Sequence, residues 1–545
     1  METNCTVSHQ TPVPSEALTS DLGFYLEARA RRAQSKTIEQ EEEEEEEDNM
    51  VGVKEVEKFT AFKARDGKKA AFDGVQGLLK LASGLLVQLP FAAVLTPLVV
   101  VSLVANKLAS GGKKQSAAET PLAEPVEPAK DRTKREERKY DLVVFGATGF
   151  TGGLAAEYLA KQYSGNGSDL KWAIAGRKIK SLEKVRERLA KLNPEAAKLD
   201  LIIADTSDEQ SVQRMVNSTR VVASTVGPFV KYGTPLVRAC VAYGTDYCDI
   251  TGEADWVKVL IEAYSKTARE TGAHIVNFCG HDCIPWDLMT LELANNIRAA
   301  NPDEDLESIE MYNDIFGSFS GGTLATIVHH LSNPMKPSKN LTFNALDMRA
   351  DGTRTETRVR GDLMPVGYSS AHKSYYGFSF MSMVNRDCVR RSNALLQYGK
   401  QLRYKEQQEL PGLGATVAFG IEGIMIVLLL GSGALRGAFL ALGLLPKPGQ
   451  GPSVQEQEDG FLIVTGYGKG TKGTKAVGKM YFSKDPGYRD TARMLMESAL
   501  CMALSRTELP TKGQGGMYTP AAALGTVLRD RLIRSGTEFE VKLTK

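Results

Sequence analysis

Cysteine is scarce in this chain and scattered along it. Seven occur in 545 residues, Cys5, Cys240, Cys248, Cys279, Cys283, Cys388 and Cys501, and no two form a Cys-x-x-Cys pair. Cys279 and Cys283 stand four apart, with no second Cys/His pair nearby at zinc spacing, so the thiols read as reduced and no metal is expected. An excess of one charge is also lacking. The net charge is +1, which gives no overall field for a nucleic acid. No short apolar h-region opens the chain, so no secretory signal peptide is expected. None of the eighteen tyrosines has a lysine four residues later, which excludes the Tyr/Lys pair of short-chain dehydrogenases.

What is present is organised around YDLVVFGATGFTGG, Tyr140 to Gly153. Leu142 to Phe145 is a continuous apolar run, as in a parallel strand buried on both faces. Gly146, Gly149 and Gly152 follow, and then a good helix former from Leu154 to Ala160. Such a turn lets the backbone approach a pyrophosphate, and the helix start offers free N–H groups to it. Strand before and helix after are the context that makes this glycine spacing a dinucleotide signal. Expected cofactor contacts here are Gly146, Thr148, Gly149, Phe150, Thr151 and Gly152.

The next strand, Trp172 to Arg177, ends in Gly176, Arg177 and Lys178. An NAD site places an acid there for the ribose 2′-hydroxyl. Two cations and no acid fit a 2′-phosphate, so NADP(H) is the expected cofactor. LDLIIAD ends at Asp205, suited to the adenine edge, and the fourth strand runs into Val226, Gly227 and Pro228, suited to the ribose and nicotinamide. DYCDITGE and HIVNFCGHDCIPWD bring further strand ends to the same rim. The fold class is therefore α/β: a Rossmann-type parallel sheet over 138–285, then an α+β second domain over 286–545. LESIEMYNDI and the stretch around Thr353 to Arg360 alternate as strands. FLIVTGYG and KAVGKMYF read as a hairpin, and helices at 489–504 and 520–534 would close the fold.

Residues 1–137 read as a disordered extension. Glu41 to Glu47 is an unbroken acidic run that stays solvated. Leu81 to Asn106 carries no charge over 26 residues, about 39 Å as a helix at ~1.5 Å per residue. That length suits a bilayer, although Pro90 and Pro97 would bend it. Gly111 to Arg138 reads as a tether. A second apolar stretch, Leu413 to Pro446, has Glu422 and Arg436 as its only charges. Gly431 to Gly433 permits a turn, which favours a hairpin in one leaflet or a lipid-droplet monolayer. The rival is a buried helical pair at a homodimer interface.

GATGFTG, AGR, TVGPF, YGTPLV-x-AC, DITGE and CGHDCIPWDL together resemble the saccharopine dehydrogenase-like oxidoreductases, in the branch with the trans-acting enoyl reductases. The resemblance continues through SGGT at 320–323, PGQGPS at 448–453, DPGY at 485–488 and GGMYTPAAALG at 515–525, and covers about 138–545. His281 stands where this family commonly has Phe, and Cys283 where it commonly has Ser. The resemblance implies an NADPH-dependent oxidoreductase and leans toward lipid bodies and membranes.

A hydride donor needs a proton donor nearby for carbonyl or conjugated alkene reduction. The rim offers Tyr232, Asp249, Glu253, His281 and Asp282. His281, which titrates near neutrality, is the first choice as acid; Asp282 would orient the loop, and Tyr232 completes the catalytic candidates. His329 and His330 are adjacent on an expected helix and face apart, against a metal pair. The expected activity is reduction of an enoyl or keto group of a lipid or glycolipid precursor, by a protein attached to a lipid droplet, plasma membrane or organelle membrane with its catalytic part on the reducing side. One alternative is a lipid-body protein that binds the dinucleotide without catalysis. The other is saccharopine chemistry in lysine metabolism, with Arg386, Arg390 and Arg391 holding carboxylates.

Overall fold

The structure, a computed structural model, describes residues 123–164, 169–317, 343–361, 366–379, 381–410, 412–416, 419 and 451–544. The acidic run, the apolar stretch 81–106, the SGGT sequence, His329 and His330 lie outside the described residues. So does the stretch 413–446, except for residues 413–416 and 419.

Seven parallel strands form the first sheet: β1 (Tyr140–Phe145), β2 (Trp172–Gly176), β3 (Asp200–Ile203), β4 (Thr219–Ser224), β5 (Asp246–Asp249), β6 (His274–Val276) and β14 (Gly516–Tyr518), ordered β14-β6-β5-β4-β1-β2-β3. All six residues of β1 are buried, because helices cover both faces and the apolar run has no wet side. On one face lie α1 (Phe150–Tyr163) and α9 (Thr491–Leu504), which pack on each other and over β1 and β4. On the other lie α3 (Glu209–Asn217), α4 (Phe229–Tyr243) and α5 (Ala254–Thr271). Strand order reverses between β1 and β4, so their carboxyl ends flank the crevice where a doubly wound sheet takes its ligand. The remaining helix of this half is α2 (Ile179–Leu192), between β2 and β3.

The second sheet contains β7 (Leu306–Phe316), β8 (Arg358–Gly361), β9 (Val366–Ser369), β10 (Ser374–Phe378), β11 (Gln401–Leu410), β12 (Phe461–Gly470), β13 (Lys475–Phe482) and β15 (Glu538–Thr544). Its order is β15-β13-β12-β7-β11-β10-β9, with β8 paired to β11. The expected hairpin is β12 and β13, antiparallel with Leu462 opposite Phe482. Helices α6 (Ile284–Ala300), α7 (Ser382–Leu396), the short α8 (Val454–Asp459) and α10 (Pro520–Arg534) complete the fold. One apolar cluster runs from Val144 and Ile174 through Met289 and Leu495 to Val464, so the two sheets share a core.

Two expectations need correction. The tether is not free along its whole length: from Ala123 it lies on α4 and α5, with Ala129 N–H donating to Ala242 O at 2.9 Å and Thr267 Oγ1 to Val126 O at 2.6 Å. Composition misled because the segment docks by backbone bonds, a few apolar contacts and the side chains of Arg135 and Arg138, whose partners lie far along the chain. The C-terminal helices do not close the second half alone either. Thr491 to Met502 of α9 are buried on every side, since the helix lies between the two halves, and β14 extends the first sheet.

Candidate functional site

The glycine turn is built as its spacing requires. Gly146 has φ +95°, and a Cβ there would sit 2.7 Å from Thr225 Oγ1. A Cβ on Gly152 would come 2.2 Å from Gly146 O, so α1 can approach the turn this closely only without one. Gly149 differs, since its nearest obstacle is Gly146 O at 3.3 Å. Gly149 is the N-cap of α1, which has no side-chain cap. Thr148 and Gly149 are exposed and Phe150 is half-buried. Thr151 follows in the first turn of α1. An uncapped helix start with open space in front of it is suited to phosphate oxygens.

Gly176 closes β2, where Leu182 lies 3.4 Å from the place of its missing Cβ. Arg177 and Lys178 follow, both exposed. Asp205 is engaged locally. Its Oδ1 accepts from Ser207 N at 3.0 Å and Ser207 Oγ at 2.8 Å. These bonds, with Arg177 adding a weaker pull, lower its carboxyl below the ordinary range. Across the crevice, Val226 and Pro228 are half-buried and Gly227 is exposed. Glu253 fixes that turn by accepting from Phe229 N at 2.9 Å and Val230 N at 2.6 Å. It is a cap for α4, with both oxygens committed.

The proposed acid groups do not behave alike. His281 is buried, its ring edge-on to Trp286 with centroids 5.2 Å apart. Burial lowers its imidazole to about 3, and Nδ1 has no partner. The expectation that His281 titrates near neutrality is thereby corrected, because burial disfavours its charged form. Asp282 Oδ1 lies 3.8 Å from His281 Nε2, and its side chain keeps 37% of its surface open. Its partial burial, and then the charge of Glu406, raises the carboxyl to about 7. Asp249 is fully buried and bonded to Tyr247 OH (2.8 Å), Asn277 Nδ2 (2.9 Å) and Thr251 N (3.2 Å); burial raises it to about 7. Tyr232 is half-buried on α4 beneath Lys231 Nζ, 5.0 Å from its ring centre. Among the described residues no hydrogen bond or ring contact joins Tyr232 to the His281 loop.

Behind that loop lies a network the sequence reading missed. Glu406 Oε1 accepts from Ser379 Oγ at 2.6 Å, Asn313 Nδ2 at 3.1 Å and Asn385 Nδ2 at 3.1 Å, and Oε2 accepts from Tyr404 OH at 2.6 Å. Asn313 Oδ1 accepts from Trp286 Nε1 at 2.9 Å, which joins the network to the ring that supports His281. The signal was faint: one polar residue at an inward position of each of two neighbouring strands, Asn313 after Ile309 and Met311, Glu406 after Leu402 and Tyr404.

A family model for the saccharopine dehydrogenase NADP binding domain matches residues 142–284. A Mycobacterium tuberculosis relative is 35% identical over 418 residues, 74% of this chain and 97% of that one. The trans-acting enoyl reductase of Mycobacterium bovis is 34% identical over 420 residues, 73% of this chain and 97% of its own. The chain belongs to the saccharopine dehydrogenase-like oxidoreductases. Within that family it falls in the branch of the trans-acting enoyl reductases, and it is an NADP-dependent oxidoreductase. Among solved structures, the apo saccharopine dehydrogenase (L-Glu forming) of Saccharomyces cerevisiae aligns with TM-score 0.42 at 13% identity, over 74% of this chain and 99% of that one.

The residues of this saccharopine dehydrogenase-like chain fit the cofactor. The open face of Gly149, the uncapped α1 and a cationic pair with no acid at the end of β2 match pyrophosphate and 2′-phosphate in turn. The arginines expected to hold a dicarboxylate are otherwise engaged. Arg390 makes two 2.6 Å bonds to Asp347. Arg391 donates to Met348 O and, at 2.8 Å, to Met517 O, and Arg386 Nη2 lies 3.5 Å from Asp387. A cavity of about 670 Å³ beside Arg138, Tyr140, Lys171 and Trp172 lies at the amino ends of the strands. A doubly wound sheet binds at the opposite ends, so that cavity is not the site. No group of three or more His, Cys, Asp or Glu among the described residues could hold a metal.

Proposed function

We propose that this oxidoreductase uses NADPH to reduce an enoyl or keto group of a lipid or lipid-linked substrate, at a membrane or lipid-droplet surface. The observation that carries the reading is the placement of Asp282: a part-open carboxyl in the loop that follows β6, with Oδ1 3.8 Å from His281 Nε2 and its proton held by surroundings that raise the group to about 7. Bound NADPH supplies the hydride. Gly146, Thr148, Gly149, Phe150, Thr151 and Gly152 would line its pyrophosphate, Gly176, Arg177 and Lys178 its 2′-phosphate, Asp205 its adenine edge, and Val226, Gly227 and Pro228 its reactive end.

Asp282, protonated, gives the proton that reduction requires, and solvent restores it through the open part of its side chain. His281 holds the loop through its backbone N–H, 3.0 Å from Thr491 Oγ1, and through its ring on Trp286. An apolar substrate agrees with arginines that are already paired. It also agrees with the stretches 81–106 and 413–446, for which the sequence favours lipid surroundings over a buried pair; among the described residues no helix is long and apolar enough to cross a membrane.

The test is NADPH oxidation by the purified protein in vesicles that carry enoyl or keto lipids, with saturated lipids as the control. Oxidation only with the unsaturated or keto lipids supports the reading. Tight NADPH binding without oxidation across such a panel favours the dinucleotide-binding alternative.

A further inference from the structure

The second half of the chain touches the cofactor turn directly. Phe150, the first helical residue after Gly149, stands edge-on to Tyr488, with ring centroids 5.3 Å apart at 79°. Gly451 lies against the same ring. A Cβ there would meet Phe150 Cε1 at 2.4 Å and Cζ at 2.5 Å. Both contacts are fixed from behind. Tyr488 N–H donates to Asp485 Oδ2 at 2.9 Å, and Asp485 N–H to Gln457 O at 2.9 Å. Gln457 Nε2 in turn donates to Pro452 O at 2.8 Å, one residue from Gly451. The path closes on itself: Phe150, Gly451, Pro452, Gln457, Asp485, Tyr488, Phe150. Ser453 and Glu456 lock α8 with a capping box, and a Cβ on Gly460 would collide with Asp485 Cα at 2.5 Å.

The same turn reaches the other end of the crevice. Thr491 Oγ1 donates to Pro486 O at 2.7 Å and accepts from His281 N at 3.0 Å. Thr491 Cγ2 also lies 3.3 Å from where a Cβ on Gly280 would be. Residues 485–491 therefore bridge the phosphate end of the crevice and the loop that bears Asp282.

We propose that Gly451, Tyr488 and Thr491 are positioning residues of the cofactor site: through Phe150 they hold the start of α1, and through His281 they hold the reactive-end loop, so NADPH affinity is set in part from the late part of the chain. This rests on the placement of NADPH at the glycine turn. None of the three needs to touch the cofactor; they hold the groups that do.

The test measures NADPH affinity of the full-length protein by fluorescence titration, beside adenosine 2′-phosphate, a probe that lacks the pyrophosphate and engages only the Arg177 side. Gly451→Ala pushes the Phe150 ring from its place and should weaken NADPH about tenfold, the scale of one phosphate hydrogen bond, while adenosine 2′-phosphate binds as before. In a Phe150→Leu background the added methyl has room, and Gly451→Ala should then cost little more; that non-additivity is the signature of contact. If Gly451→Ala fails to fold, Tyr488→Leu removes the support without adding bulk and should give the same separation of the two probes. Unchanged NADPH binding in folded variants overturns the proposal, and so does an equal loss of both probes. Failure of the unmodified protein to bind NADPH would instead sink the cofactor placement itself.

Discussion

Replacing Arg135 with methionine should destabilise the chain although Arg135 lies far from the cofactor turn. Arg135 Nη2 is 2.9 Å from Asp246 Oδ2, and Asp246 is completely buried on β5. Arg135 also donates to Arg220 O at 3.1 Å and Met502 O at 3.0 Å. Burial alone would raise the Asp246 carboxyl. Arg135, the His274 contact and Arg506 outweigh it and hold the group well below the ordinary carboxylate range. Leaving a buried charge wholly unpaired costs about 3–5 kcal/mol. Here Arg506 still pairs with Asp246 and His274 N still donates at 2.9 Å, so the loss should be nearer ~2 kcal/mol, one charge-assisted bond. Methionine preserves much of the packing of the arginine stem.

The measurement is urea unfolding of the full chain and of Arg135→Met, followed by tryptophan fluorescence, at pH 7 and at falling pH. A carboxyl lowered on folding contributes stability that is present above the unfolded value and lost as pH falls through the folded one. The gap between the proteins should therefore persist at neutral pH and close in acid. High salt should leave it largely intact, because the pair is buried. A chain cut just before Arg138 should show at least the same loss, and one cut just before Ala123 should not. Equal midpoints at pH 7, or a gap erased by salt, would refute the account of this segment as a docked strap.

Three further outcomes test the site. Arg177→Ala should weaken NADPH by about 1.5–3 kcal/mol and leave NADH nearly unchanged; equal affinity of the unmodified protein for both cofactors defeats that reading. Gly149→Val should keep the fold and lose NADPH, because only Gly146 O lies near the new Cβ, at 3.3 Å. Gly152→Val should damage the fold as well, with backbone oxygen at 2.2 Å; thermal melts beside binding titrations separate the two. For Asp282, the required form is the acid, so turnover should hold below about 7 and fall as pH rises through it. Asp282→Asn should be flat with pH and lower by about a hundredfold, and a wild-type profile level from pH 6 to 8 would count against Asp282.

Much of the first sheet was legible because its signals are local. Leu142 to Phe145 is apolar without a break, the three glycines stand at fixed spacing, and Arg177 follows its strand directly. The rest depends on distant partners. Nothing around His281 in the chain reveals that Trp286 and Thr491 bury it, and burial reverses the order of acidity between it and Asp282. Glu406 lies far along the chain from Asp282 and acts on it only through space. The strap from Ala123 to Arg138 has the composition of a linker, and its anchors are distant: Arg135 pairs with an acid 111 positions away, and Arg138 donates to Thr219 O and Tyr243 O. β14, Gly516–Tyr518, is three residues long and carries no period to read.

That short strand bears on how the protein is made. β14 pairs with β6, Gly516 opposite His274 and Tyr518 opposite Val276, and α9 covers β1 and β4 from the same late part of the chain. During synthesis the glycine turn leaves the ribosome early, yet the sheet behind it lacks an edge and a cover until the last residues follow. The nucleotide-binding half is thus completed by residues from the end of the chain. A nascent chain stalled before α9 should expose the apolar face of β1 and β4 to chaperones, and a premature stop there should remove cofactor binding although every residue expected to touch the cofactor has been translated.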